Sequence, residues 1–224
     1  MASIQENITQ IKQEILKRSP VPESVRILGV TKFQPVEKVV EALRNGIQVL
    51  GVNYAQDGAA LRQSLGGLSC EWHFIGHIQS RKTKFLSDYE CVQSLDRLDI
   101  AEKLNRLLLE QGKTVSVLVE VNIGREPQKS GVMPEEVRSF CKALKDYQQL
   151  KLTGLMTMPP FIDVEERRPF FKQMLKIYQE LQDIYELNTL SMGTSDDYSV
   201  ALEEGSNLIR LGTQLFGQRV RSQV

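Results

Sequence analysis

Two short segments near the end of the sequence combine small residues with the ends of expected strands, an arrangement suited to phosphate binding. They are Ser-Met-Gly-Thr-Ser-Asp-Asp at 191–197 and Arg-Leu-Gly-Thr at 210–213. Small residues at a strand end leave backbone N–H groups free to point at an anion. We therefore expect both segments to bind a phosphorylated ligand, through Gly193, Ser195, Gly212 and Thr213. The alternative is that Ser195 and Gly193 serve only as a helix cap and a turn.

Lys32 is the candidate nucleophile. It follows the apolar run 27–31, so its stem is expected to be partly desolvated. An ordinary lysine has a pKa of about 10.4 and is almost entirely protonated at neutral pH. Burial and a cationic neighbour lower that pKa and make the amine usable, so a lysine beside a phosphate site suggests Schiff-base chemistry. The alternative is a solvated lysine at the start of a loop.

Arg210 lies two residues before Gly212. Side chains alternate between the faces of a strand, so these two residues share one face. An inward Arg210 would reach the body of a ligand whose phosphate is held at Gly212 and Thr213. The alternative is a structural ion pair with an inward carboxylate.

Eight short apolar runs of strand length alternate with helical patterns along the chain. Such alternation predicts a parallel sheet, and eight units predict a closed (β/α)₈ TIM barrel. We expect one domain over residues 1–224, with an N-terminal helix within 1–20 packed on the barrel. A doubly wound open sheet is the alternative, although no Gly-x-Gly-x-x-Gly follows the first strand. The expected strands are 25–31, 47–50, 71–75, 90–94, 115–121, 150–156, 187–190 and 207–211.

The unusual residues fall at the same ends of these strands. Active sites of such barrels lie at the C-terminal ends of the strands, and phosphate sites often use the loops after strands seven and eight. Both small-residue segments fall there, and so do Lys32, Asn53, Tyr54, His73, His77, Gln79, Asp96, Arg97, Asn122 and residues 156–158. The agreement of independent strands predicts one site at the barrel mouth.

Composition narrows the class of protein. The net charge is zero, whereas nucleic-acid-binding domains are usually basic, so we expect no nucleic-acid partner. The histidines and cysteines form no metal-binding or disulfide pattern. No apolar run approaches the roughly 20 residues of a membrane span, and no signal peptide is evident. We expect a soluble, cytoplasmic protein.

The ordered motifs resemble the pyridoxal phosphate homeostasis proteins (YggS/PROSC type) across nearly the whole chain. The motifs are Val-Thr-Lys at 30–32, Gly-Val-Asn-Tyr at 51–54, Trp-His-Phe-Ile-Gly-His-Ile-Gln at 72–79, Lys-Ser-Gly at 129–131, Gly-Leu-Met at 154–156, and the segments 191–197 and 210–217. Val52 departs from the family, which usually carries glutamate before the Asn-Tyr pair.

The resemblance implies a barrel like the N-terminal domain of bacterial alanine racemase, with pyridoxal 5′-phosphate (PLP) as cofactor. Lys32 would hold PLP as an internal aldimine, and Arg210 would face the pyridine nitrogen. Asn53 would reach the phenolic side of the ring. The phosphate would be bound by Ser195, Gly212 and Thr213, with Gly193 in the same segment.

The same resemblance bears on activity. Arginine at the pyridine nitrogen disfavours its protonation, which weakens the ring as an electron sink. Racemases of this type also need a second base from an added domain and a dimer partner, and this sequence ends just after the eighth strand. We therefore expect a monomeric, non-catalytic PLP carrier that serves cofactor homeostasis and delivers PLP to apo-enzymes. The alternatives are a racemase- or decarboxylase-like enzyme, and a class I aldolase-like barrel that uses Lys32 on a sugar phosphate.

Overall fold

A computed structural model, which describes residues 2–218, contains a closed barrel of eight parallel strands. Each strand pairs with the next along the chain, and the eighth pairs with the first. The TIM-barrel prediction is therefore confirmed. The strands are β1 Arg26–Val30, β2 Val49–Val52, β3 Glu71–Phe74, β4 Cys91–Leu95, β5 Val115–Val121, β6 Leu150–Thr157, β7 Thr189–Thr194 and β8 Leu208–Leu211.

Helices cover the outer face of the barrel. They are α1 Ile4–Arg18, α2 Val36–Arg44, α3 Ala55–Ser64, α4 Leu98–Gln111, α5 Val137–Leu144, α6 Arg168–Tyr185, α7 Tyr198–Glu203 and α8 Thr213–Phe216. The connection between β3 and β4 is a 3₁₀ segment, Ser80–Asp88. Shorter 3₁₀ turns occupy Pro22–Ser24, Pro134–Glu136 and Glu165–Arg167.

Helix α1 is the element expected within residues 1–20. A capping box starts it, because Ser3 Oγ accepts from the Glu6 backbone N–H while the Glu6 carboxylate accepts from the Ser3 N–H. Four isoleucines at helical spacing are buried along one face: Ile4, Ile8, Ile11 and Ile15. The helix packs against α7 and α8, and the Asn7 amide donates to the Leu215 carbonyl oxygen.

Two strands lie further along the chain than predicted. β2 occupies 49–52 instead of 47–50, and β7 occupies 189–194 instead of 187–190. Ile47 and Leu187 are buried, but they precede the strands. Apolar runs mark burial and do not by themselves mark backbone pairing. The first half of the segment 191–197 is therefore strand and not loop, with Ser191 paired to β6 and β8.

The barrel interior is layered. The main apolar core lies between the sheet and the helices, whereas two small apolar clusters fill part of the interior: Leu28, Val49 and Leu208, and Cys91, Leu118 and Met156. Several other buried interior positions are polar, among them His73, Gln93, Ser191 and Arg210. These polar side chains lie beneath the C-terminal mouth. Across residues 2–218, no helix combines the length and apolar character that a membrane span requires.

Candidate functional site

Ser195 joins the two small-residue segments. Its Oγ accepts hydrogen bonds from the backbone N–H of Gly212, at 3.1 Å, and of Gln214, at 3.2 Å. Thr213, between these two residues, is exposed in the first turn of α8. The structure thus brings together Ser195, Gly212 and Thr213, the three residues expected to bind phosphate, at the end of β8.

The two glycines of these segments have different environments. A Cβ added to Gly212 would meet no atom closer than 3.8 Å, so this position opens onto free space. Gly193 has φ +93°, and a Cβ there would lie 2.6 Å from the Ala201 Cβ. Glycine at 193 is therefore required for the packing of β7 against α7. Contact of its backbone with a ligand stays a prediction.

A buried ion pair holds the turn that carries Ser195. Asp197 Oδ1 accepts from the N–H and the hydroxyl of Thr194, and its Oδ2 accepts from Arg167 Nη1 at 2.8 Å. Both charged side chains are almost fully buried. Asp197 directly precedes α7, but its carboxylate makes no cap to that helix. Arg167 was missed, because nothing in the sequence relates it to a residue thirty positions later.

Lys32 lies half-buried at the mouth, beside two aromatic rings. Its Nζ is 5.1 Å from the ring centroid of Phe33 and 5.3 Å from that of Tyr54, within the range of cation–π attraction. Lys32 and Asn53 line a cavity of about 210 Å³ together with Tyr54, Phe74, Gly76, His77, Ile78, Gln79 and Lys82. Within residues 2–218, the Oδ1 atom of Asn53 is buried and has no hydrogen-bond partner.

The lysine and the phosphate-binding candidates occupy adjacent parts of the mouth. β1 pairs with β8, and the nearest neighbour of the open Gly212 position is Val30, two residues before Lys32. Among the described residues, no hydrogen bond joins Lys32 to Ser195 or Thr213. The site therefore consists of two groups, the Lys32 cavity and the Ser195–Gly212–Thr213 cluster, on neighbouring strands.

Arg210 lies within the barrel below both groups. Its Nη1 donates to Ser191 Oγ at 2.7 Å and its Nη2 donates to the Thr157 carbonyl oxygen at 2.9 Å. Burial lowers the pKa of Arg210 to about 10, opposed by the carboxylates of Asp197 and Glu120. Within residues 2–218, Arg210 has no carboxylate within ion-pair distance, so the structural ion pair considered for it is absent. The guanidinium remains cationic at neutral pH.

Glu120 is an interior carboxylate that sequence reasoning missed. Its pKa is raised to about 7, mainly by burial and also by the nearby Asp96 carboxylate, while Arg210 acts in the opposite direction. No side-chain hydrogen bond of Glu120 is present in the described part of the chain. A charged residue within the otherwise apolar run of β5 was the signal that could have identified it, because parallel strands are covered on both faces.

Comparisons with known proteins agree with this architecture. A family model described as the N-terminal domain of alanine racemase matches residues 1–220. A protein of Pasteurella multocida named pyridoxal phosphate homeostasis protein is 36% identical over 228 residues, which cover 97% of this chain and 98% of that protein. A protein of Vibrio alginolyticus with the same name is 37% identical over 230 residues, with coverage of 98% and 99%.

Solved structures are similar as well. PipY of Synechococcus elongatus, determined with PLP bound, has a TM-score of 0.85 and 30% identity, and the match covers 96% of this chain and 100% of PipY. An alanine racemase of Clostridium difficile in complex with cycloserine has a TM-score of 0.79 at 18% identity, covering 99% of this chain and 61% of the racemase, which shows the shared fold alone.

The matches cover nearly all of this chain and nearly all of each relative, at more than 30% identity. They confirm the resemblance first found in the ordered motifs. With its single closed barrel and its lysine at the end of β1, this chain belongs to the family of pyridoxal phosphate homeostasis proteins.

Proposed function

We propose that this protein binds PLP at the barrel mouth and serves intracellular PLP homeostasis by holding, buffering and delivering the cofactor. The observation that carries the proposal is the primary amine of Lys32, two residues after β1, on the strand connection next to the open glycine position at the end of β8. The names of the relatives and the PLP complex of PipY support the same ligand.

The residues present fit this cofactor. The free space at Gly212 accommodates a group that a side chain would exclude, beside the Ser195 hydroxyl to which the Gly212 and Gln214 N–H groups donate. The partnerless Asn53 Oδ1 can accept a hydrogen bond from a ligand in the Lys32 cavity. When bound, PLP supplies an aldehyde and an electron-withdrawing ring. The aldehyde carbon would bond covalently to Lys32 Nζ, and the aldehyde oxygen would leave as water.

The proposed roles follow from these positions. Lys32 attaches the cofactor, Ser195, Gly212 and Thr213 bind its phosphate with the backbone of Gly193 in support, and Asn53 contacts the phenolic side of the ring. Arg210 faces the pyridine nitrogen. Because Arg210 is a cation held by two hydrogen bonds, it would disfavour a proton on that nitrogen. We therefore infer a holder of PLP that is not an amino-acid enzyme.

The first experiment titrates the apoprotein with PLP. We expect a new visible absorbance band, and borohydride reduction followed by peptide mapping should locate the label on Lys32. Lys32→Ala should lose the band and the label. Lys82→Ala is the matched control, because Lys82 lines the same cavity and should be dispensable. Labelling of Lys82 in the unsubstituted protein, or no band at all, would refute the assignment.

A second experiment tests the absence of catalysis. We expect no sustained racemisation of alanine or serine by the PLP-loaded protein, and turnover at ordinary enzymatic rates would favour the racemase-like alternative. A monomeric state is also proposed, and light scattering of the loaded protein would test it. Delivery can be followed as activation of a PLP-dependent apo-enzyme by the loaded protein. We further infer a cytoplasmic location from the three free cysteines, Cys70, Cys91 and Cys141.

A further inference from the structure

A continuous chain of side-chain hydrogen bonds runs through the barrel interior from Arg210 to Glu71. Arg210 Nη1 contacts Ser191 Oγ at 2.7 Å, and Ser191 Oγ contacts Gln93 Oε1 at 2.7 Å. Gln93 Nε2 lies 2.7 Å from His73 Nδ1, and His73 Nε2 lies 2.8 Å from Glu71 Oε1. Each of these contacts is short enough to be a well-formed hydrogen bond. Four strands, β3, β4, β7 and β8, contribute to this axial chain.

The chemistry of its members gives the axial chain one direction. Arginine only donates, so Ser191 Oγ accepts from Arg210 and directs its own proton to Gln93 Oε1. The Gln93 amide then presents its NH₂ group to His73, whose Nδ1 must accept. A neutral His73 consequently carries its proton on Nε2 and donates it to the Glu71 carboxylate. Every donor points away from Arg210.

The far end of the axial chain is a carboxylate that is ionised at neutral pH. The hydrogen bond from His73 lowers the pKa of Glu71 to about 2, against the effect of burial and with further help from Arg26. Glu71 is half-buried and pairs with Arg26 at the N-terminal ends of β3 and β1. Its negative charge therefore favours the donor direction described above, because each dipole in the axial chain points its positive end towards the carboxylate.

Burial alone does not explain these polar residues. Gln93 and Ser191 are completely buried, and His73 and Arg210 are nearly so, although apolar side chains fill the neighbouring interior positions. A buried polar chain specifies one arrangement only when every member is satisfied. Here each side chain provides the hydrogen-bond partner that the next one needs. The guanidinium plane of Arg210 is held at two nitrogens, by Ser191 Oγ and by the Thr157 carbonyl oxygen.

We propose that Ser191, Gln93 and His73 are positioning residues, which orient the Arg210 guanidinium towards the cofactor and connect it to the Glu71 carboxylate at the opposite end of the barrel. The part of this inference that concerns the cofactor rests on the proposed function. The orientation of Arg210 and the direction of the axial chain are properties of the ligand-free protein.

The ligand-free protein tests the direction by nitrogen NMR of the imidazole ring. We expect His73 to be neutral, with a protonated Nε2 and an unprotonated Nδ1. In Gln93→Glu the new carboxylate can only accept when ionised, so His73 should become protonated on both nitrogens. A proton on Nδ1 in the unsubstituted protein would overturn the proposal, whether or not the protein binds PLP.

The orientation of Arg210 is tested by the Nε–Hε resonance of its guanidinium, also without ligand. Ser191→Ala and Gln93→Leu should shift or broaden this resonance. Ser206→Ala is the matched control, because Ser206 is also buried and, among the described residues, its hydroxyl contacts only backbone carbonyl oxygens, including that of Met192. An Arg210 resonance that is unchanged in Ser191→Ala, or changed equally in Ser206→Ala, would contradict the positioning role.

The PLP-loaded protein supplies the last measurement. In Ser191→Ala we expect the absorbance maximum and its pH profile to change and PLP affinity to fall about tenfold, the ratio expected for loss of one hydrogen bond to a charged group. Ser206→Ala should keep the spectrum of the unsubstituted protein. Failure of the unsubstituted protein to bind PLP would refute the proposed function, while the NMR results would still decide the axial chain.

Discussion

The backbone N–H of Gly212 donates to Ser195 Oγ across 3.1 Å, although 17 residues separate them in sequence. This bond joins the end of β8 to the turn after β7, the two positions at which TIM barrels commonly bind phosphate. A Cβ on Gly212 would meet no atom closer than 3.8 Å, so the cluster is open at this position. The effects of a substitution on the stability of the fold and on ligand binding can therefore be separated experimentally.

The two glycines provide that separation. Gly212→Ala places a methyl group in the space assigned to the phosphate, so PLP affinity should fall at least tenfold while the free energy of unfolding changes by less than about 1 kcal/mol. Gly193→Ala should instead destabilise the fold by roughly 2–4 kcal/mol, through strain at positive φ and overpacking against Ala201. PLP titration and urea denaturation of both variants measure the two effects. Equal loss of stability in both would show that Gly212 is structural.

Asp197 should be among the residues most sensitive to substitution. Asp197→Ala leaves the buried Arg167 guanidinium uncompensated and removes the acceptor of two Thr194 hydrogen bonds. Breaking a buried pair in this way costs about 3–5 kcal/mol. Asp196→Ala, at the exposed neighbouring position, is the control and should cost less than about 0.5 kcal/mol. Denaturant midpoints of the two variants would compare them, and similar midpoints would contradict the structural role of the ion pair.

Glu120 should make stability depend on pH near neutrality. Its pKa is about 7 in the folded protein against an ordinary value of 4.5, so the folded state holds this proton more tightly than the unfolded chain. Raising the pH through this window should therefore lower the free energy of unfolding, by at most about 3 kcal/mol at 1.36 kcal/mol per pKa unit.

Glu120→Gln should remove this decline and leave the variant more stable than the unsubstituted protein at pH 8. Glu110→Gln, an exposed carboxylate on α4, is the control and should leave the pH profile unchanged. Urea denaturation between pH 4.5 and 8 provides the measurement. If the free energy of unfolding falls with pH equally in Glu120→Gln and in the unsubstituted protein, other groups cause the pH dependence.

Two asparagines, the half-buried Asn53 and the buried Asn122, should respond in opposite ways to leucine. Asn53 Oδ1 has no hydrogen-bond partner in the described part of the chain, so Asn53→Leu should be neutral or stabilising by up to about 1 kcal/mol, while PLP affinity falls. Asn122 donates to the Glu126 carbonyl oxygen and accepts from the Glu126 N–H. Asn122→Leu should therefore cost about 2–3 kcal/mol, since both backbone groups lose a buried partner. Thermal unfolding with and without PLP distinguishes these outcomes.

The sequence by itself determined the architecture and the end of the barrel at which the candidate site residues lie. Alternating apolar runs and helical patterns predicted eight parallel strands, and strand ends alone placed Lys32, Asn53 and Gly212 at one mouth. These inferences succeed because they depend on local periodicity and on the rule that parallel strands end at one edge. The family resemblance added the ligand, and its motifs are likewise short and local.

The tertiary structure alone decided which side chains meet. The strand β7 extends through Thr194, Ser195 caps the end of β8, and Arg167 pairs with Asp197. The axial chain from Arg210 to Glu71 also has no signature in the sequence, because its members come from four strands. Such contacts depend on strand register and on which face of each strand turns inward. A shift of one residue would send every one of these side chains to the opposite face, so only the closed barrel specifies them.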